Sequence, residues 1–189
     1  ITKGKQVITA EIENSSSFKL SDKEFDINAS CQYGELSYES DNENVVSVDS
    51  SGHAVINGAG RAKIKVTAPA IYNYAKTVKT FNITVRPDTV KISSITGTAK
   101  TAAVSWKRDA EAAGYQIRYS LKSNMKNSKV CSIRKSLTKK KLRGLKSNTK
   151  YYVQVRSYVK ADDGSKIYSS WSDKKNIKTK KVKTEKKKS

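Results

Sequence analysis

The chain has 189 residues, 36% of them apolar, with nine Gly and only two Pro. That composition suits one large module or two small ones and excludes collagen-like and proline-rich architectures. No apolar run approaches the ~20 residues that cross a bilayer, and Ile1 does not open a secretory leader, so a fragment of a longer precursor is expected.

The charge is uneven. Residues 1–86 hold ten Lys and Arg against ten Asp and Glu, and residues 87–189 hold twenty-eight against seven. The whole net charge of +21 therefore falls in the second part. This predicts a module boundary near Arg86-Pro87-Asp88, and either an acidic partner or a solvated lysine coat for the second module. Cys31 and Cys131, one in each part, make no disulfide framework, and each is expected as a small buried hydrophobe.

In chain order, strand signals dominate the first module, expected at residues 1–86. Val7-Ile8-Thr9, Phe25 to Ala29, Lys63 to Thr67 and Phe81 to Val85 alternate or cluster β-branched and aromatic residues. Turn signals separate them at Tyr33-Gly34-Glu35, Asp49 to Gly52 and Asn57 to Gly60. The second module, expected at residues 87–179, repeats the pattern. Val104 and Trp106 share one face, as do Tyr115, Ile117 and Tyr119, and then Tyr151, Val153 and Val155. Ala161-Asp162-Asp163-Gly164 is a hairpin turn. Residues 180–189 carry six Lys and one apolar residue, Val182, and are expected to be disordered.

The run Leu36-Ser37-Tyr38-Glu39-Ser40 through Val45-Val46-Ser47-Val48-Asp49-Ser50-Ser51-Gly52, followed by Gly58-Ala59-Gly60-Arg61-Ala62-Lys63-Ile64-Lys65-Val66, resembles the bacterial immunoglobulin-like group 2 family. The resemblance implies that Val45, Val46 and Val48 enter a core and that Gly52 and Gly60 serve turns. Ile71-Tyr72-Asn73-Tyr74-Ala75 departs from it as an expanded loop with two aromatics. The run Leu145 to Val155 resembles the fibronectin type III pattern L-x-P-x-T-x-Y-x-V-x-V, with Ser147 in place of Pro. That resemblance implies a core Trp at 106, a core aromatic at 115 and a Tyr151 hydroxyl tied to upstream backbone. The fold expected is all-β, two tandem immunoglobulin-like β-sandwiches. The pairing is similar to that of Gram-positive surface proteins and implies an extracellular chain, secreted or cell-wall associated.

Catalytic chemistry finds little support. His53 is the only histidine, placed in an exposed turn, and there is no G-x-S-x-G elbow. One His and two distant Cys make no Cys/His zinc site, and no cofactor is expected. Glu39, Asp41, Glu43 and Asp49 are oxygen donors without the spacing of a calcium loop. The chain is therefore expected not to be an enzyme. Two faces of the second module are candidates for binding. Lys91, Lys107, Lys139, Lys141 and Arg143 form a basic stripe suited to anionic polysaccharide, a cell-wall polymer or a host surface ligand; nucleic acid ranks last. Arg118, Tyr152, Arg156 and Tyr158, with Trp171, form an aromatic and cationic face. Tyr168-Ser169-Ser170-Trp171-Ser172 resembles half of the W-S-x-W-S motif of cytokine-receptor fibronectin domains, where a Trp stacks on arginines. This face is either a stapled last strand or a sugar platform. The functions expected are spacer and adhesion module of a bacterial surface protein, as a monomer, or an accessory wall-binding region of a secreted hydrolase.

Overall fold

The computed structural model describes residues 3–182. Among the described residues the structure is strand after strand, with one short 3-10 turn at Leu20–Asp22. In the first part of the chain the strands are β1 (Gly4–Lys5), β2 (Ser15–Lys19), β3 (Glu24–Asp26), β4 (Ser37–Ser40), β5 (Val46–Val48), β6 (His53–Ile56), β7 (Gly60–Ala68), β8 (Tyr74–Ala75) and β9 (Thr77–Arg86). One sheet has the order β2-β9-β7-β4, with β2 parallel to β9 and the other pairs antiparallel. The facing sheet is β3-β6-β5, and β1 pairs parallel with β8.

Period two explains the packing. Ala62, Ile64, Val66 and Ala68 of β7 point inward, while Arg61, Lys63 and Lys65 point to solvent. Phe81, Ile83 and Val85 of β9 meet them from the next strand. Burying each of the larger side chains contributes about 1.5–3 kcal/mol. Val45 and Val46 are buried and Val48 packs against the same cluster, as the sequence pattern implies. A Cβ at residue 60 would meet a Val45 methyl at 2.5 Å, so only glycine lets β7 start beside Val45. Gly52 has φ +88, the left-handed backbone that its turn requires. The strand expected at Val7-Ile8-Thr9 is reduced to a bridge between Thr9 and Ser30. Ile8 is still buried, with exposed Val7 beside it.

In the second part the strands are β10 (Ile92–Gly97), β11 (Ala102–Trp106), β12 (Gly114–Ser120), β13 (Lys129–Arg134), β14 (Lys139–Leu142), β15 (Lys150–Lys160), β16 (Lys166–Tyr168) and β17 (Lys175–Lys178). One sheet is β10-β11-β14; the other is β13-β12-β15-β16, with β17 also on β15. Val104, Tyr115, Ile117, Val153 and Val155 are fully buried between them, and the Trp106 ring meets Tyr115 edge-on at 5.5 Å. The Tyr151 hydroxyl accepts a hydrogen bond from the Lys146 backbone N–H at 2.8 Å, the upstream tie that the resemblance implies.

By proximity the chain divides into two compact units. One holds the chain up to Pro87 together with Lys160–Ile167, the other Asp88–Val159 and the chain from Tyr168 on. At the far end, the Lys180 N–H donates to the Thr98 carbonyl and the Asn148 N–H donates to the Lys180 carbonyl. Regular bonding thus runs one residue into the tail expected at 180–189. Residues 183–189 of that tail lie outside the described residues.

Candidate functional site

The basic stripe is built by β11 and β14. Their antiparallel register sets Lys141 opposite Ala103 and Lys139 opposite Ser105. Leu142 is buried and Lys140, opposite Val104, is half-buried, so Lys139 and Lys141 are left on the outer face, about 7 Å apart along the strand. The Lys107 N–H donates to the Lys91 carbonyl at 3.0 Å, which joins these two exposed residues at one end of the same sheet. Lys107 is diagonal to Lys139, a neighbour position about 7–8 Å away. Arg143 lies outside the strand. β14 stops at Leu142, and Gly144 turns the chain with φ +67, so Arg143 is exposed just past the strand end. Among the described residues none of the five cations is ion-paired.

The other face is a ladder. On β12 and β15, Arg118 pairs across the strands with Gln154, and Gln116 with Arg156. Each arginine donates two N–H groups to its glutamine's Oε1, Arg118 at 3.0 and 2.6 Å, Arg156 at 3.0 and 2.7 Å. Both guanidinium carbons lie 4.3 Å from the Trp171 ring centroid, and Arg156 also lies 3.8 Å from the Tyr168 ring. Tyr158 meets Tyr168 at 5.6 Å. Burial lowers both arginine pKa values, and for Arg156 the nearby Arg118 charge adds to the lowering. Gln154 belongs to this cluster although sequence reasoning did not single it out, and so do Gln116 and Tyr168, whose pairing with Arg156 the sequence did not reveal. The outward period on β12 and β15 is legible in the sequence, but which glutamine faces which arginine becomes readable only once the register is known. Tyr152 stands apart from the ladder, with its ring 5.3 Å from the Lys150 ammonium.

Two serines seat Trp171. The Ser169 Oγ accepts from the Ser157 N–H at 3.1 Å, and the Ser172 Oγ accepts from the Val155 N–H at 3.0 Å. Hydroxyls thus replace ladder carbonyls between β16 and β17, and Tyr168 and Trp171 project outward onto the arginines. Tyr168 fills the place of the first Trp of the motif. The guanidinium groups of Arg118 and Arg156 both stack on the Trp171 ring, the contact that the stapled-strand reading expects.

His53 is not in a free turn. It opens β6, with Nδ1 2.8 Å from Asp26 Oδ1 and Nε2 3.8 Å from Glu24 Oε2. The hydrogen bond to Asp26 raises its pKa, with Asp26, Glu24 and Asp49 adding by charge and partial burial opposing. Three of the carboxylates considered as oxygen donors bond within the chain. Asp41 accepts from the Lys63 N–H, Glu39 from Lys65 Nζ, and Asp49 from Ser51 and His53. Among the described residues no group of three His, Cys, Asp or Glu gathers as a metal site. Cys31 and Cys131 are both unpaired and half-buried, each packed at the edge of a core rather than within it.

The family model of the intimin immunoglobulin-like domain matches residues 22–70, and that of the purple acid phosphatase N-terminal domain matches residues 87–179. The latter is a non-catalytic, immunoglobulin-like part of that enzyme. No curated protein matches the chain. Similar solved structures include chicken CNTN1 FN1-FN3 domains, at 19% identity and TM-score 0.43, covering 77% of this chain and 53% of that one. The sixth fibronectin type III domain of human fibronectin type III domain containing protein 3 is similar at 18% identity and TM-score 0.42, covering 54% and 93%. A redesigned β-sandwich is similar at 19% identity and TM-score 0.40, covering 51% and 91%. Among the described residues no helix is long and apolar enough to cross a membrane.

Proposed function

We propose that residues 1–86 and 87–179 are a group 2 immunoglobulin-like module and a fibronectin type III module of a bacterial cell-surface protein. They act without catalysis, as a spacer and adhesive region, and the second module engages an anionic polymer of the wall or of a host surface. The observation that carries this reading is the group of exposed cations on and at the ends of the strands of the sheet β10-β11-β14, without ion pairs among the described residues, in the part of the chain that holds all the net charge. A phosphate- or sulfate-bearing polymer supplies charge at a spacing that several lysines on one flat face meet together. The contribution of each contact falls as salt screens it.

The test is binding of the full chain to wall teichoic acid and to heparin across a salt series, against a Lys139→Ser, Lys141→Ser, Arg143→Ser variant. Affinity that drops in the variant, with a shallower salt dependence, supports the reading. Affinity unchanged by the three substitutions, or no binding at about 0.15 M salt, contradicts it.

A second reading draws on the match of residues 87–179 to the N-terminal domain of an enzyme. In that reading the pair is the accessory region of a secreted hydrolase and holds it to its polymer. A catalytic domain in the same polypeptide would favour it over the adhesive reading.

A further inference from the structure

The segment Ile71–Ala75, a turn leading into β8, belongs to neither face of the second module. It carries Tyr72 and Tyr74 to one end of the first sandwich, where Tyr33 meets both. The Tyr33 and Tyr74 rings lie 4.8 Å apart at 35°, and Tyr33 and Tyr72 lie 6.2 Å apart at 78°. The group is held in place by backbone. Ile71 and Tyr74 exchange hydrogen bonds of 3.2 and 2.9 Å, and the Gly4 N–H donates to the Asn73 carbonyl at 2.7 Å. A Cβ at Gly4 would sit 3.2 Å from two Tyr74 ring carbons, so that ring is backed by bare backbone. Tyr72 nevertheless remains 78% exposed. It also holds φ at +49, a left-handed conformation that a bulky side chain adopts only at a cost. A loop selected for stability alone would place Gly or Asn there.

We propose that the exposed Tyr72 ring, braced edge-on by Tyr33, which itself packs against Tyr74, is a stacking surface for a pyranose ring of an uncharged oligosaccharide. The C–H face of a pyranose is apolar and flat and packs on phenol rings, while its hydroxyls need polar groups at the rim. Here the rim is amide and phenol: Gln32 Nε2 donates to the Tyr33 hydroxyl at 3.3 Å, and Asn73 is exposed beside Tyr72. The balanced charge of residues 1–86 suits a neutral ligand rather than the polyanion drawn to the second module.

The test titrates the full chain with chitohexaose, cellohexaose and maltohexaose, followed by saturation-transfer NMR and calorimetry. At least one saccharide binds, and its affinity is insensitive to salt. Tyr72→Gly lowers that affinity by about tenfold or more, while its unfolding midpoint stays level or rises, because glycine accepts the backbone angle without strain. Tyr74→Phe, which keeps the ring, retains most of the affinity. The Lys139→Ser, Lys141→Ser, Arg143→Ser variant binds the saccharide as the parent does, so failure here is distinct from failure of the polyanion reading. No binding of any of the three at about 5 mM, or equal binding by Tyr72→Gly, overturns the proposal.

Discussion

His53 and Asp26 are 27 positions apart, yet the antiparallel register of β3 and β6 sets them opposite each other. The imidazolium gains a partner in the fold that it lacks in the unfolded chain, so its pKa rises from the ordinary 6.5. Its contribution to stability is fully present below the unfolded value. That contribution is lost as pH climbs through the raised, folded value. NMR titration is predicted to place His53 above 6.5, and Asp26→Asn to bring it down toward that value; a titration at or below 6.5 in the parent chain would contradict the pairing. The sequence places His53 beside the Gly52 turn but is silent on Asp26, because a cross-strand partner is a property of register. The same limit hid the pairing of Gln116 with Arg156 and of Gln154 with Arg118. The strand carrying Lys139 and Lys141 ends earlier than the sequence pattern suggests: the apolar–basic alternation continues to Arg143, whereas β14 stops at Leu142 before Gly144 turns the backbone.

At the scale of elements, period two was legible wherever a strand buries one face, as in β7, β11, β12 and β15. It was least legible where a short segment is held by a single bridge, as at Thr9. The segment from β16 to β17 is held by the two serine hydroxyls and by the contacts of Trp171 with Arg118 and Arg156. Each exposed cation–π contact contributes about 0.5–1 kcal/mol, so Trp171→Ala is predicted to cost about 1–2 kcal/mol in urea unfolding, with the slope unchanged. No loss of stability would mean that the ladder does not staple the strand. The lysines of β14 also sit on the open edge of the sheet β10-β11-β14, where charge deters pairing with another chain. That edge accounts for some of the basic residues without any ligand.

Across the whole molecule, the division of charge is legible in composition alone. The all-β architecture was legible in alternation, turn glycines and the two family resemblances. Out of reach of the sequence was which basic residues share a surface, since that depends on the pairing of β11 with β14. The polyanion reading stands on that surface receiving the ligand, rather than on charge in general. Backbone NMR of the full chain, titrated with a short heparin oligosaccharide, separates the two. Shift changes are expected to concentrate at Ala103 to Lys107 and Lys139 to Arg143, with residues 1–86 little affected. Changes spread evenly over the lysines of the second module, or confined to residues 183–189, would refute it.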